Sequence, residues 1–413
     1  MRILLVGVGT VGEAIARMAA TRDWCESMVL ADYDLDRATA LQAELGDPSR
    51  FPVEGIDARE SDAVAELARR HRAGLVMNAV DPRFVMPIFD GALAAGSDYM
   101  DMANSLSRPH PTDPYVKPGV KLGDEQLAKA GDWERAGRLA LLGMGMDPGL
   151  SDVFAAHAAK NLFDEVDEVH VRDGGDLHIP GYAFAPVFSI WTTIEECLNP
   201  PVVWEGDGER GGWITTEPFS APESFPFPEG IGPVECVNVE HEEVLLVPRW
   251  IRGVKRVTFK YALGADFIEK LKFLHDIGLD RTEPVRVRGI EVSPRDVVAA
   301  VVPDPITMGD KMVGRAIVGT WVIGRKDGRP REVFLYQMAD AQETLARTGS
   351  QVVGWQTGFN PVIAMELIAI GAWSGVGVFG PEAFDPDPYL ALLHRFGIHH
   401  AMVEMEPGAH QPT

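Results

Sequence analysis

Cysteine is scarce in this sequence. The 413 residues contain three, Cys25, Cys197 and Cys236, which lie far apart. An odd number at such spacing is not typical of a disulfide framework or of a zinc site, and the histidines show no metal-ligand spacing. We therefore expect reduced thiols, as in a cytoplasmic protein, and no metal centre.

Long apolar runs are also missing. No segment is continuously apolar over the ~18 residues that a membrane-spanning helix requires. A signal peptide is not expected, because Arg2 is the one basic residue at the start and no long apolar stretch leads to a cleavage site. A chain of 413 residues exceeds the size of a single hydrophobic core, so two domains are predicted.

Basic residues are also few in comparison with acidic ones. The sequence has 38 Lys and Arg against 61 Asp and Glu, a formal net charge of −23. Such a surface repels nucleic acid and anionic membranes, so neither is expected as a partner. The same field mildly attracts cationic small molecules such as amines, although acidic surfaces commonly serve solubility alone.

The first ~145 residues alternate short apolar runs with amphipathic stretches, which predicts a doubly wound parallel sheet covered by helices. The predicted strands are 3–7, 28–31, 51–56, 75–80, 98–101 and 139–144. The predicted helices are 13–20, 37–45, 62–70 and 87–95. Residues 105–121 are rich in proline and polar residues and predict a loop.

From about residue 151 the runs become β-branched and aromatic, which predicts a second, α+β domain with a mixed or antiparallel sheet. Its predicted strands are 168–172, 213–217, 254–261, 285–288, 316–325 and 331–338. Residues 205–232 are turn-rich and predict a surface excursion. Residues 351–370, with an apolar helical run after Pro361, predict a helix that returns to the first domain.

The sequence VGVGTVG at 6–12 is the strongest motif. Gly7, Gly9 and Gly12 follow an apolar strand and open a helix, as a dinucleotide-binding turn requires. In that arrangement the glycines permit a tight turn, a close backbone approach to the pyrophosphate and close helix packing. We expect cofactor contacts from the glycines and from the intervening residues Val8, Thr10 and Val11. A Gly-rich turn without ligand is the alternative.

Asp32 ends the second predicted strand, 20 residues after Gly12, where a carboxylate can accept hydrogen bonds from the ribose hydroxyls. It would repel a 2′-phosphate and so favours NAD, whereas Arg37 can fold onto a phosphate and keeps NADP open. Asp57, after the third strand, is a candidate contact to the adenine. Three residues that end the fourth strand are candidates near the nicotinamide, with ordinary loop roles as the alternative: Ala79, Val80 and Asp81.

Several motifs together resemble the saccharopine dehydrogenase-like family, which includes saccharopine reductase, lysine 6-dehydrogenase and carboxynorspermidine dehydrogenase. They are VGVGTVG at 6–12, GMDPGLSDVFA at 145–155, VEHEE at 239–243, VVPDP at 301–305, TGSQVVGWQTGFNP at 348–361 and GVGVFGPEAFDPDPYLALLHRFGI at 375–398. The last two look closest to the carboxynorspermidine branch.

The resemblance implies a Rossmann domain of residues 1–150 and 345–413, interrupted by a substrate-binding and dimerisation domain of residues 151–344. It implies NAD(P)-dependent chemistry at the C–N bond of a lysine- or polyamine-derived amino acid, by imine reduction or amine oxidation, in a homodimer. Carboxynorspermidine or carboxyspermidine dehydrogenase activity is the sharper alternative. A dinucleotide-binding sensor without catalysis is the alternative of another class.

Asp147, His241 and Glu242 are the candidate catalytic residues. Asp147 follows the last strand of the first domain, where a carboxylate can anchor an ammonium group, or it caps a helix that begins at Pro148. In the Glu240–His241–Glu242 cluster, flanking carboxylates would raise the pKa of the histidine. Strict strand alternation would place His241 opposite the two glutamates, and an exposed helix start is the alternative.

The substrate's carboxylate calls for a cation in the cleft. Arg172 and Arg249 are the chosen candidates, with Arg252 and Lys260 also eligible and solvated surface charge as the alternative. Tyr182 is a candidate wall of the pocket, and Thr357 and Gly358 are candidates near the head of the returning helix.

Overall fold

A computed structural model describes residues 1–182, 184–206 and 212–413 of the protein. Its strands are β1 (Arg2–Val6), β2 (Ser27–Asp32), β3 (Val53–Gly55), β4 (Leu75–Asn78), β5 (Asp98–Met100), β6 (Leu139–Leu141), β7 (Glu165–Gly175), β8 (Val202–Glu205), β9 (Gly212–Thr215), β10 (Glu223–Phe227), β11 (Gly232–Asn238), β12 (Arg256–Tyr261), β13 (Val285–Val287), β14 (Ile290–Val292), β15 (Arg315–Lys326), β16 (Arg329–Asp340), β17 (Gly377–Phe379) and β18 (His400–Met405). Its helices are α1 (Thr10–Ala20), α2 (Leu35–Leu45), α3 (Ser61–Arg70), α4 (Val85–Ala95), α5 (Asp124–Leu127), α6 (Ala130–Ala136), α7 (Leu150–His157), α8 (Ile190–Leu198), α9 (Glu243–Trp250), α10 (Ala265–Asp276), α11 (Pro294–Val301), α12 (Ala341–Thr348), α13 (Val352–Ala369) and α14 (Pro386–Arg395).

The first sheet is parallel and has the strand order β3-β2-β1-β4-β5-β6-β17. Strands β1, β2 and β4 are buried along almost their whole length, as expected for strands covered by helices on two faces. The order reverses between β1 and β4, which is the switch point of a Rossmann sheet and the usual position of its ligand. The predicted α/β class is confirmed.

The C-terminal residues take part in two sheets. Strand β17 pairs in parallel with β6 and extends the first sheet, in keeping with a segment that returns to the first domain. Strand β18, however, pairs antiparallel with β16 of the second sheet. The last residues therefore tie the two sheets together.

The second sheet is mixed, because β12 and β7 run parallel while the other pairs are antiparallel. The prediction of a surface excursion at 205–232 is wrong for part of that range. Residues 223–227 form β10, and Phe225 and Phe227 are buried in an aromatic cluster with Phe334. Residues 207–211 of the excursion lie outside the described residues.

Helix α13 spans Val352–Ala369, which confirms the helix predicted over residues 351–370. Its glycines allow it to lie directly on α1: a Cβ on Gly354 would stand 2.5 Å from Thr10 Cγ2, and one on Gly358 would stand 2.8 Å from Ala14 Cβ. Helix α13 thus buttresses the helix that carries the glycine turn.

Across the described residues, no helix combines the length and the apolarity that crossing a lipid bilayer would demand.

Candidate active site

A cavity of about 1350 Å³ lies between the two sheets. Its first-domain wall consists of the turn after β1, with Gly9, Thr10 and Val11, and the residues that follow β4. Its second-domain wall includes the end of β7 and the start of α10. The cavity therefore opens at the carboxyl ends of the parallel strands, where ligands of this fold bind.

The glycine turn leaves room for a ligand at one position only. Gly7 has φ of +97°, and a Cβ there would stand 2.4 Å from Val80 Cγ1; a Cβ on Gly12 would stand 2.1 Å from the Gly7 carbonyl oxygen. Gly9 instead faces open space, with Arg37 Nη1 4.0 Å away as its nearest neighbour. Gly7 and Gly12 are thus required by packing, and the space at Gly9 fits a dinucleotide pyrophosphate.

Gly9→Val is expected to separate folding from cofactor binding. Gly9 has φ of −78° in the extended region, so valine fits the backbone, but its side chain fills the space beside the turn. We expect an unfolding temperature close to that of the native protein and at least about tenfold weaker cofactor affinity. Fluorescence titration with NADPH and NADH measures the affinity, and Gly74→Val, in open space beside the Arg2 carbonyl, is the matched control. Unchanged affinity would place the cofactor elsewhere.

Asp32 is not free to face the cavity. It is buried, its Oδ2 accepts a hydrogen bond from the Val8 amide at 2.7 Å, and its Oδ1 accepts one from the Asp34 amide at 2.9 Å. It fixes the glycine turn and does not line the cavity. Asp57 does not line it either. Its carboxylate accepts hydrogen bonds from Arg59, which lower the pKa of Asp57 to about 2.

The residues after β4 do line the cavity, as expected. Ala79 and Val80 lie against the glycine turn, and Asp81 accepts hydrogen bonds from the Arg83 amide at 3.1 Å and its Nε at 3.0 Å. Asn78 braces this corner, since its Oδ1 accepts from the Val80 amide at 3.1 Å.

Asp147 faces the cavity and is not a helix cap. Helix α7 begins at Leu150, and the cap is formed by Asp152, whose Oδ2 accepts from the Gly149 amide at 2.7 Å. The capping alternative is therefore wrong. Enclosure by protein and the nearby Asp173 carboxylate raise the pKa of Asp147 well above its ordinary value.

His241 lies at the cavity wall in a turn between β11 and α9. Its ring stacks on Phe259, with centroids 3.7 Å apart, and its Nδ1 lies 2.5 Å from Glu243 Oε2. Burial disfavours the cation, but the carboxylates of Glu243, Glu242 and Asp147 outweigh it and raise the pKa of His241 well above its ordinary value. The increase in the pKa of His241 that the sequence predicted is present, and the Glu243 carboxylate contributes most to it.

The two glutamates beside His241 do not line the cavity. Glu240 accepts hydrogen bonds from Ser107 Oγ at 2.8 Å and from Asn199 Nδ2 at 3.1 Å, and Glu242 accepts one from the Asn104 amide at 3.0 Å. The alternative interpretation of this cluster as an exposed helix start is wrong, because Glu240, His241 and Glu242 are all buried. Glu242 lies 3.6 Å from His241 Nδ1 and supports the cation instead of meeting a ligand.

Sequence reasoning missed three residues that complete this wall: Asp173, Glu196 and Tyr261. Asp173 in β7 and Tyr261 in β12 are register partners, and Glu196 lies in α8. Burial raises the pKa of Asp173 to about 7 and that of Glu196 to about 8. The available signal was the pair Glu195–Glu196 between the apolar residues of IWTTIEECL.

Arg172 and Arg249 do not reach the cavity, which corrects the expected carboxylate contacts. Arg172 neighbours Asp173 in β7, so alternation sends it to the opposite face, where Glu223 accepts its hydrogen bonds at 2.8 and 3.0 Å. Arg249 donates from Nε to the Leu245 carbonyl at 3.1 Å.

Among the other substrate candidates, Tyr182 and Thr357 line the cavity and Gly358 does not. Gly358 serves helix packing against Ala14, as its close approach to α1 requires. Thr357, one residue earlier on α13, is on the cavity side.

Two family models cover almost the whole chain. One, described as the saccharopine dehydrogenase NADP binding domain, matches residues 3–141, and the other, described as the saccharopine dehydrogenase C-terminal domain, matches residues 145–398. The chain belongs to the saccharopine dehydrogenase family. It is an NAD(P)-dependent oxidoreductase of the group that acts on CH–NH donors.

Curated relatives match over nearly full length. Carboxyaminopropylagmatine dehydrogenase of Synechocystis sp. is 29% identical over 96% of this chain and 96% of its own. Carboxynorspermidine synthase of Vibrio alginolyticus is 30% identical over 99% of this chain and 98% of its own. Among solved structures, apo saccharopine dehydrogenase (L-Glu forming) of Saccharomyces cerevisiae has a TM-score of 0.69 at 14% identity, covers 98% of this chain and 100% of its own, and supports the fold.

Proposed function

We propose that this enzyme reduces the imine formed between a diamine or polyamine and a small amino acid that bears an aldehyde, giving a carboxylated polyamine. The names of the two curated relatives support this branch of the family over saccharopine formation. The observation that carries the proposal is the charge of the cavity.

The cavity is strongly acidic. Among the described residues that line it, seven carry carboxyl groups and one, Arg37, carries a permanent positive charge. The seven are Asp81, Asp101, Asp147, Asp173, Glu196, Asp266 and Asp304. A substrate with several carboxylates, such as saccharopine, would find only Arg37 and protonated His241 as cationic partners among the described lining residues. A chain with two or more ammonium groups is attracted, because each ammonium group favours the ionised form of the carboxyls whose pKa values burial raises.

The residues around His241 supply what imine formation needs. The amine loses a proton to a carboxylate such as Asp147 and attacks the aldehyde carbon, which gives a carbinolamine. Cationic His241 donates a proton to the carbinolamine oxygen, which leaves as water, and then regains a proton from Asp147. The resulting iminium is stabilised by the carboxylates of Asp147 and Asp173. The glycine turn would hold NAD(P)H, which when bound would supply the hydride that reduces the iminium carbon.

The affinity for the amine is expected to rise with pH between about 6 and 8. Asp173 and Glu196 have pKa values raised to about 7 and about 8, so they are largely neutral at pH 6 and ionise across this range. A cationic amine binds the ionised form better, and KM for the amine falls accordingly. In Glu196→Gln, KM for the amine should fall less steeply as pH increases. If KM of this variant depended on pH in the same way as KM of the native enzyme, Glu196 would have no role in amine binding.

A substrate panel tests the proposed function. Purified enzyme with NADPH or NADH is offered L-aspartate semialdehyde with 1,3-diaminopropane or putrescine, and separately 2-oxoglutarate with lysine. Oxidation of the cofactor in the first set alone supports the proposal. Turnover of lysine with 2-oxoglutarate alone would favour the saccharopine reaction, and no turnover with any pair would favour a non-catalytic dinucleotide-binding protein.

Two further properties are proposed with this function, a homodimer and a cytoplasmic location. The three cysteines are buried and unpaired, which agrees with a reducing compartment. Light scattering of the purified chain tests the homodimer, and a monomer at assay concentration would overturn it.

A further inference from the structure

Two buried carboxyl groups have no part in the proposed reaction. Asp152 lies in the first turn of α7, and Glu382 lies in a short helical turn, Pro381–Ala383, that follows β17. Asp152 is 0% exposed and Glu382 is 8% exposed. Neither lines the cavity, so neither meets a substrate there. Acidic residues are almost never buried in this way unless they are paired.

The two carboxyl groups face each other and share a hydrogen bond. Asp152 Oδ2 also accepts from the Gly149 amide at 2.7 Å. Among the described residues, no other residue donates a hydrogen bond to Asp152 Oδ1 or to either oxygen of Glu382. Ionised carboxylates only accept, so a hydrogen bond between two carboxyl groups requires a proton on one of them. The pair therefore has a place for one proton inside the protein.

Glu243 connects this pair to the cavity wall. Its Oε2 lies 2.5 Å from His241 Nδ1, and its Oε1 accepts a hydrogen bond from Ser151 Oγ at 2.9 Å. Ser151 directly precedes Asp152 in α7. Burial raises the pKa values of Asp152 and Glu382, and the Glu243 carboxylate raises both further. Three carboxyl groups thus act on one another near a single cation.

No basic side chain of the described residues neutralises the pair. The turn at Pro381–Ala383 packs on α7 and α9, and the basic residue of each helix has a partner elsewhere. His157 lies 3.6 Å from Asp387, and Arg249 lies 3.7 Å from Asp124. The other elements packed on α7 are β15, β16 and α14, whose basic residues lie at the strand ends and in the last helical turn: Arg315, Arg325, Lys326, Arg329, Arg331, His394 and Arg395. The charge of the pair is therefore limited by a proton and not by a cation.

We propose that Asp152 and Glu382 share one proton at neutral pH, and that the single negative charge left on the pair acts through Glu243 to hold His241 as a cation. The pair is a positioning element, because it does not line the cavity. With the proton on the pair, Glu243 stays ionised against the histidine ring. The importance of the pair for catalysis rests on the proposed role of His241 as proton donor, but the charge of His241 can be measured without turnover.

Titration of His241 by nuclear magnetic resonance tests the proposal on the full-length chain without substrate. The chain carries isotope-labelled histidine, and the signal that is lost in His241→Gln assigns the resonance. In Glu382→Gln the new amide can donate to Asp152, so the pair still has one negative charge and His241 should titrate as in the native chain. Asp152→Asn should give the same result, because asparagine can donate to Glu382 and still accept from the Gly149 amide.

The double variant Asp152→Asn/Glu382→Gln removes the charge of the pair. The potential at His241 becomes less negative, so the pKa of His241 should decrease by about one pH unit, and the alkaline limb of activity should move to lower pH with it. The titratable groups that face His241 are the same in the native chain and in these variants: Asp147, Asp173, Glu196, Glu242, Glu243 and Tyr261. Glu404→Gln, which removes one exposed charge from β18, is the matched control and should not change the titration.

Two results would overturn the proposal. A decrease in the pKa of His241 in Glu382→Gln alone, as large as in the double variant, would mean that the native pair has two charges and no proton. An unchanged pKa in the double variant would mean that the pair is neutral or has no effect on His241. Thermal unfolding shows that the compared chains are folded, and Asp152→Asn/Glu382→Met makes the same change of charge if the first double variant does not fold.

Infrared spectroscopy measures the shared proton directly. The difference spectrum between the native chain and Glu382→Gln at neutral pH should show the loss of one protonated carboxyl group, and no loss would also overturn the proposal. A chain that passes both tests but does not turn over any amine and aldehyde pair would support this proposal and remove the proposed function.

Discussion

Replacing His241 with glutamine is expected to lower kcat/KM by about 100-fold to 10,000-fold, the range over which a positioned proton donor accelerates a reaction. The reason is that His241 is a cationic group at the cavity wall that can release a proton, held protonated by Glu243 at 2.5 Å. Glutamine keeps a hydrogen-bond donor of similar size but cannot release a proton. Steady-state kinetics with NADPH and the amine and aldehyde pair measure the loss.

The pH profile separates this role from a structural one. The pKa of His241 is raised, so the native enzyme should lose activity as pH increases through that raised value, and not near the ordinary histidine value. The residual activity of His241→Gln should lack this alkaline limb. His178→Gln is the matched control, since His178 also lines the cavity and its Nδ1 bonds to the Asp176 backbone carbonyl and not to a carboxylate. If the activity of His241→Gln still decreased at alkaline pH as in the native enzyme, the proton donor would be another group.

Asp147→Asn is expected to lower kcat/KM for the amine by about tenfold to a hundredfold, because a charge-assisted contact to the substrate ammonium or iminium becomes a neutral one. The same substitution should leave the stability of the fold equal or increase it. Burial and Asp173 raise the pKa of Asp147, so this carboxyl costs folding free energy above the ordinary aspartate pKa, and the cost grows as pH increases toward the raised value. Asparagine removes it, and the unfolding temperature should stay equal or increase.

The combination of lower activity with equal or higher stability distinguishes a functional carboxylate from a structural one. Calorimetric unfolding and steady-state kinetics on the same preparations measure the two quantities. Asp147→Glu should restore part of the activity, and Asp276→Asn at the end of α10 should change neither. A large loss of stability in Asp147→Asn would make the carboxylate a packing element and remove its assigned role.

Local patterns predicted the first domain well. Strands β1, β2 and β4 are continuous apolar runs, and the glycine turn after β1 has a spacing that few other structures require. The place of Asp147 followed from the position of its strand end. In the second domain, β7, β15 and β16 were predicted from their β-branched and aromatic residues, with observed ends one to three residues beyond the predicted ones.

The composition of the cavity could not be predicted in the same way. Asp173, Glu196 and Tyr261 come from three elements that meet only in the folded protein, so no spacing in the sequence relates them. The choice of Arg172 shows the same limit, because a shift of one position along β7 separates the cavity face from a buried ion pair with Glu223. Asp32 was placed at the correct strand end, yet its partners are backbone amides that only the turn geometry determines.

In the proposed reaction, hydride passes from the nicotinamide cofactor to a carbon–nitrogen double bond within the acidic cavity. Isotope transfer tests it most directly: the enzyme is incubated with the amine, the aldehyde and NADPH or NADH carrying deuterium at one or the other face of nicotinamide C4, and the product is analysed by mass spectrometry. We expect a secondary amine with one deuterium on the carbon bonded to the new nitrogen, from one of the two labelled cofactors and not from the other. A product without deuterium from either cofactor, or a cofactor that stays reduced while the substrates remain unchanged, would contradict it.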